Sequence, residues 1–129
     1  MKAVLYAMSS AVDTDWVVRL SDVYPDGRSI LIVDGILRAR YRDSMSEPSL
    51  IAPDRVYRYD IDLWATSNVF KAGHRLRVSV TSSNFPRWDR NLNTAESPET
   101  GARLETAVNT VFFDPPRPSH LLLPVIPKP

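Results

Sequence analysis

The chain has no cysteine among its 129 residues, which excludes a disulfide framework and a thiolate metal site and suits a reducing compartment, read here as the cytoplasm. Glycine is almost as scarce. Gly27, Gly35, Gly73 and Gly101 are the only four, and none of them forms the Gly-x-Ser-x-Gly elbow on which α/β-hydrolases mount a nucleophile. Long apolar runs are missing too: nothing approaches the roughly 18 residues of a membrane span. The run Ala3–Met8 is broken by Ser9-Ser10 and then Asp13, too short for the apolar core of a signal peptide. No membrane partner is therefore expected. Charge of one sign is not in excess, since 16 basic and 15 acidic residues give a net charge of +1. No two Lys or Arg residues adjoin, so there is no electrostatic footprint for nucleic acid or anionic lipid.

What is present is an ordinary globular composition, 43% hydrophobic and 24% charged, well away from the regime of disorder. The length fits a single domain, residues 1–129, able to bury roughly two thirds of its unfolded surface. Eleven prolines punctuate short β-branched and aromatic runs, and no window keeps a helical apolar period for ten residues. The pattern predicts an all-β protein of about eight strands, near 3–9, 15–23, 29–33, 36–41, 56–64, 75–82, 105–113 and 120–126. Tyr24-Pro25-Asp26-Gly27-Arg28 predicts a hairpin turn between the second and third, and Asp34-Gly35 another between the third and fourth. The longer segments 42–54 and 83–103 are crossing loops. Hairpins combined with two long crossings point to Greek-key connections in a jelly-roll β-sandwich. The tail Pro124–Pro129 ends the domain with residues that cannot extend a ladder.

Two strands declare their faces. Tyr57, Tyr59, Ile61 and Leu63 alternate with Arg58, Asp60 and Asp62, and Leu76, Val78 and Val80 alternate with Arg75, Arg77, Ser79 and Thr81; the apolar set of each is expected in the core. After Thr81 the alternation stops and the chain enters a polar, aromatic loop, Asn84, Phe85, Pro86, Arg87, Trp88, Asp89, Arg90 and Asn91. Pro86 fixes its own φ and biases Phe85 toward extended backbone. Loops of this length in a compact domain are commonly functional or interfacial. An aromatic residue between Arg87 and Asp89 has the composition of a docking hot spot, although Trp88 serves equally well as a lid over its own domain. Trp16 and Trp64, at a strand's start and end, are expected to bury their rings at sheet margins.

Residues that could carry chemistry have blander readings beside them. Ser82 or Ser83 with His74 and Asp89 would supply the elements of a triad, yet serine after a strand is commonly a turn residue. His74 and His120 read as capping or packing histidines, because neither has a second histidine at ligand spacing. Asp13-Thr14-Asp15 and the pair Asp60 and Asp62 fall short of the six to eight oxygens a hard cation wants. Asp13-Thr14-Asp15 reads instead as a turn whose side chains bond to backbone amides. No catalytic residue, metal ligand or cofactor is assigned.

Several stretches carry more than pattern. Ser9–Trp16, Asp22–Arg28, Asp34–Arg42, Ala65–Phe70, Gly73-His74-Arg75, Ser82–Arg87 with Asp89-Arg90-Asn91, and His120 with Leu123-Pro124 occur in the order found in CocE/NonD-family hydrolases. Over about Val4 to Pro127 the chain resembles the C-terminal domain of that family, which includes cocaine esterase, α-amino-acid ester hydrolases and, more distantly, the Xaa-Pro dipeptidyl-peptidase PepX. The resemblance implies a jelly roll of the galactose-binding-like class, packed against an α/β-hydrolase domain of the same polypeptide that carries the serine, aspartate and histidine. None of those three has a counterpart here, so the chain alone is expected to catalyse nothing. Its expected role is to brace the catalytic domain and help close the active-site cleft, with 84–91 as the docking loop; the isolated domain could self-associate through the same apolar patch. A carbohydrate-binding module using Trp88, or an oligomerisation domain, are the alternatives.

Overall fold

The structure, a computed structural model, describes residues 1–127. Seven strands run in chain order: β1 (Lys2–Ser9), β2 (Asp15–Val23), β3 (Ser29–Arg38), β4 (Tyr57–Asp62), β5 (Arg75–Thr81), β6 (Asn109–Phe112) and β7 (His120–Leu122). They form two antiparallel sheets. In the first, β1 is central, with β4 on one side and β6 and β7 sharing the other; in the second, β2 lies between β3 and β5. Every connection except β2–β3 and β6–β7 passes from one sheet to the other, so the chain builds a β-sandwich by repeated crossing. The last expected strand stops at Leu122, and Lys128 and Pro129 of the expected terminating tail lie outside the described residues. No helix among the described residues is long and apolar enough to cross a membrane.

The alternation of β4 is realised as read. Tyr59, Ile61 and Leu63 are fully buried while Arg58, Asp60 and Asp62 are exposed. They meet Ala3, Leu5 and Ala7 of β1 and Trp16 and Val18 of β2 in one core, and the rings of Trp16 and Tyr59 lie 5.6 Å apart between centroids. Neither the Trp16 indole nitrogen nor the Tyr59 hydroxyl makes a hydrogen bond of full geometry. Burial pushes the Tyr59 hydroxyl up to about 12, with the adjacent indole N–H pulling slightly the other way. Trp64 departs from expectation: it lies beyond the end of β4 at φ 61° and is 71% exposed. The Asp62 carboxylate takes the Trp64 amide at 2.8 Å, turning the chain away from the sheet before the ring can be covered.

The turn at Tyr24–Arg28 is the predicted hairpin. The Tyr24 N–H donates to the Arg28 carbonyl at 2.8 Å and the Gly27 N–H to the Tyr24 carbonyl at 2.9 Å, with Gly27 at φ 91°. The backbone amide of Arg28, aided by its guanidinium, holds the Asp26 carboxyl below the usual carboxylate range. Asp34-Gly35, by contrast, is no turn. β3 runs straight through it, with Asp34 opposite Arg19 and Gly35 opposite Val18, and the single irregularity of this ladder is a bulge at Leu20/Ser21. The expected strands 29–33 and 36–41 are therefore one, ending in a 3-10 turn at Ala39–Tyr41. Gly35 is required for a different reason: a Cβ there would overlap the Asp62 carbonyl oxygen and touch the Leu63 side chain at 3.0 Å. Glycine inside a strand marks such a close backbone approach; here it lets the two sheets meet at a corner.

β5 is less buried than its alternation predicts. Register places Val80 beside Val18, Val78 beside Leu20 and Leu76 beside Asp22, so the three share the face turned toward the other sheet. Only Val80 packs against the core. Leu76 and Val78 stay 52% and 47% exposed, because the sheets do not close on this part of β5: Val78 lines an open cleft with Ala3, Leu5 and Leu121.

Candidate functional site

The loop leaving β5 at Thr81, opposite Val17, returns over the outer face of its own sheet. Asp15, Arg19 and Asp34 belong to that face together with Arg38, which pairs with Asp15. Asn84 donates from Nδ2 to Asp34 at 3.1 Å, and the Arg87 guanidinium pairs with the other Asp34 oxygen at 3.2 Å. Between them the N–H groups of Arg87 and Trp88 turn back onto the Asn84 carbonyl at 3.0 and 3.4 Å. The Phe85-Pro86 peptide is cis. The Arg87 guanidinium lies 4.9 Å above the Trp88 ring, and Trp88 is half-buried.

Beneath the second half of the loop are two buried carboxylates. Arg38 makes a forked bond to Asp15, 2.9 and 3.1 Å, and extends the same fork to Asp89 at 3.1 Å. That fork holds the Arg38 guanidinium charged far above its usual range. Arg40 donates to Asp13 from Nε at 2.7 Å and from its backbone N–H at 2.9 Å, while its other nitrogens reach the carbonyls of Thr94 and Glu96 at 2.7 and 3.1 Å. Asn91 completes the set by donating from Nδ2 to both Asp13 and Asp15. Buried carboxylates are tolerable because each accepts several charge-assisted bonds. What the arrangement can do is mechanical: it fixes the loop from below and leaves Phe85, 66% exposed, with Pro86 and Arg90 facing solvent.

The side chains of Asp13-Thr14-Asp15 take one backbone amide, that of Arg40 at 2.9 Å on Asp13, and otherwise bond to side chains distant in sequence. The partners of the two acids lie on β3, on the turn after it and in the loop, and the acids at i and i+2 answer Arg38 and Arg40 at the same spacing. That complementary pattern was visible in the sequence and is the signal that could have found the anchor. Asp34, read as a hairpin residue, is likewise a loop anchor.

The imagined triad is not assembled. His74 hydrogen-bonds through Nδ1 to both oxygens of Asp22 at 2.9 Å and packs against the Tyr24 ring at 4.3 Å between centroids, the rings tilted by 48°. It stands at the start of β5, beyond Arg75 opposite Val23, whereas Ser82, Ser83 and Asp89 follow its other end, roughly 20 Å away at the rise of an extended strand. His74 is a packing residue that closes the sheet beside the hairpin. His120 opens β7 and bonds to the Pro118 carbonyl at 2.6 Å.

Residues 1–122 match the family described as the X-Pro dipeptidyl-peptidase C-terminal non-catalytic domain. The chain is 49% identical to cocaine esterase of Rhodococcus sp. (strain MB1 Bresler) over 128 residues, 98% of this chain and 22% of that protein. Among solved structures it resembles an aminopeptidase from a marine sediment Thaumarchaeota archaeon, with 34% identity and a TM-score of 0.82 over 92% of this chain and 21% of that one. It also resembles an α-amino acid ester hydrolase, with 30% identity and a TM-score of 0.85 over 92% of this chain and 22% of that one. The chain therefore spans about a fifth of the length of the relatives it matches. Matched over residues 1–122 and 49% identical to cocaine esterase along 98% of its length, the chain belongs to the X-Pro dipeptidyl-peptidase C-terminal non-catalytic domain family.

Proposed function

We propose that this domain braces the α/β-hydrolase domain of a serine hydrolase, an acyl esterase or Xaa-Pro dipeptidyl-peptidase of the cytoplasm, and helps close its active-site cleft. The loop Asn84–Asn91 is the docking surface. One observation carries this reading: Phe85 is two-thirds exposed on a loop that Asp34, Arg38, Asp13 and Asp15 hold in place from within. An apolar side chain presented on a pre-organised loop binds without the ordering cost a free loop would incur. Relatives named for ester and peptide hydrolysis support an acyl-bond substrate for the larger protein. The Arg87 guanidinium covers one face of the Trp88 ring and the residue is half-buried, which leaves less ring for a sugar to stack on and favours protein docking over carbohydrate binding.

Titrating a separately expressed hydrolase portion with this chain tests the reading. Phe85→Ala/Trp88→Ala should weaken the complex by roughly 2–4 kcal/mol per ring removed. Equal affinity of the variant and the original chain would show that the loop is not the interface.

A further inference from the structure

β5 is the outermost strand of its sheet. It pairs with β2 along its whole length, and among the described residues no strand pairs with its other edge. A bare edge presents alternate N–H and C=O groups in a geometry that another extended chain can complete. The two faces of this edge differ. On the inner one, Leu76 and Val78 are about half exposed, and Val78 and Val80 join Ala3, Leu5, Phe113 and Leu121 in lining an apolar cleft of about 260 Å³ between the sheets. On the outer one stand Arg75 and Arg77, both exposed and neither paired with a carboxylate among the described residues.

We propose that this edge receives an extended segment of the hydrolase polypeptide, one whose apolar side chains alternate with acidic ones. Added beside β5, its apolar residues cover Leu76 and Val78 and enter the cleft, and its acidic residues stand beside Arg75 and Arg77. The inference rests on the reading of the chain as one domain of a larger hydrolase. Two observations select this occupant over a second copy of the chain. The cocaine esterase relative devotes nearly four fifths of its length to sequence this chain does not span, and a covalently joined segment arrives at high effective concentration. A second copy pairing β5 with β5 would instead crowd four arginines along one face, and like charges on paired strands are destabilising.

Amide hydrogen exchange of the chain alone and of the hydrolase polypeptide that carries it tests the proposal. The amides of Arg75–Thr81 that point away from β2 should exchange at least tenfold more slowly in the longer polypeptide. Arg75→Glu/Arg77→Glu, two exposed positions, should abolish that slowing while the amides of β1 and β4 stay as slow as before. Equal exchange in the two proteins overturns the proposal. So does slowing in the chain alone that rises with concentration and sediments as a dimer, which assigns the edge to a second copy. Slowing that survives the charge reversal overturns the acidic character of the segment. Phe85→Ala/Trp88→Ala in the same polypeptide reads the docking loop separately: if the loop's exchange is unchanged while β5 stays protected, the loop reading falls and the added strand stands.

Discussion

Asn91 donates from a single amide nitrogen to Asp13 at 2.9 Å and to Asp15 at 2.8 Å, across 78 and 76 residues of sequence. One side chain thereby ties the end of the loop 84–91 to the start of β2. The two carboxylates also hold Arg40 and Arg38, so the loop, the start of β2 and the end of β3 stand or fall together.

Removing one member of this group leaves a buried charge without its partner. Asp13→Ala should destabilise the domain by about 3–5 kcal/mol, measured by urea unfolding. Asp26→Ala, which breaks the exposed pair with Arg28, should barely move the midpoint. Comparable shifts for the two would mean that the buried network contributes no more than a surface pair.

Gly35→Ala should cost about 3 kcal/mol or more, since the new methyl group meets the Asp62 backbone rather than a side chain that can swing away. An unchanged unfolding midpoint would show that β3 and β4 do not approach as closely as the sandwich corner requires.

Along β5, Val80→Ala should destabilise the isolated chain by about 2 kcal/mol, whereas Leu76→Ala, about half exposed, should cost under about 1 kcal/mol. The reverse order, in the same denaturant series, would place the covered end of β5 at Leu76.

Stability should fall as pH rises from about 10 to about 12. The Tyr59 hydroxyl ionises near 10 in the unfolded chain but is pushed up to about 12 by burial in the fold. The neutral form is therefore favoured by folding; its stabilisation is whole below pH 10 and lost as pH passes through the folded value. Two pH units correspond to roughly 2–3 kcal/mol. Tyr59→Phe should flatten this alkaline limb while changing neutral-pH stability little, because the hydroxyl has no full hydrogen bond to lose. An alkaline limb equally steep in the variant would assign it to other groups.

Mixed with p-nitrophenyl esters or Xaa-Pro amides, the chain should show no turnover above buffer, because His74 is bonded to Asp22 far from Ser82 and Ser83. A rate abolished by a serine-directed phosphonate would overturn this.

The sequence by itself determined what depends on near neighbours. The burial of Tyr59, Ile61 and Leu63 follows from a period of two, and the Tyr24–Arg28 turn from proline and glycine acting on their own backbone. That a long polar loop follows β5 was legible in the same way, from the place where alternation ends. What depends on another strand is set by packing across the sandwich. Gly35 reads locally as a turn glycine, and its actual need comes from the Asp62 carbonyl of the opposite sheet. Asp13 and Asp15 read as a short polar turn until Arg38, Arg40 and Asn91 converge on them. Alternation tells Leu76, Val78 and Val80 which way to face but not how closely the facing sheet approaches, so the exposure of the first two is set by the open cleft against β1 and β7, a gap that no residue of β5 encodes.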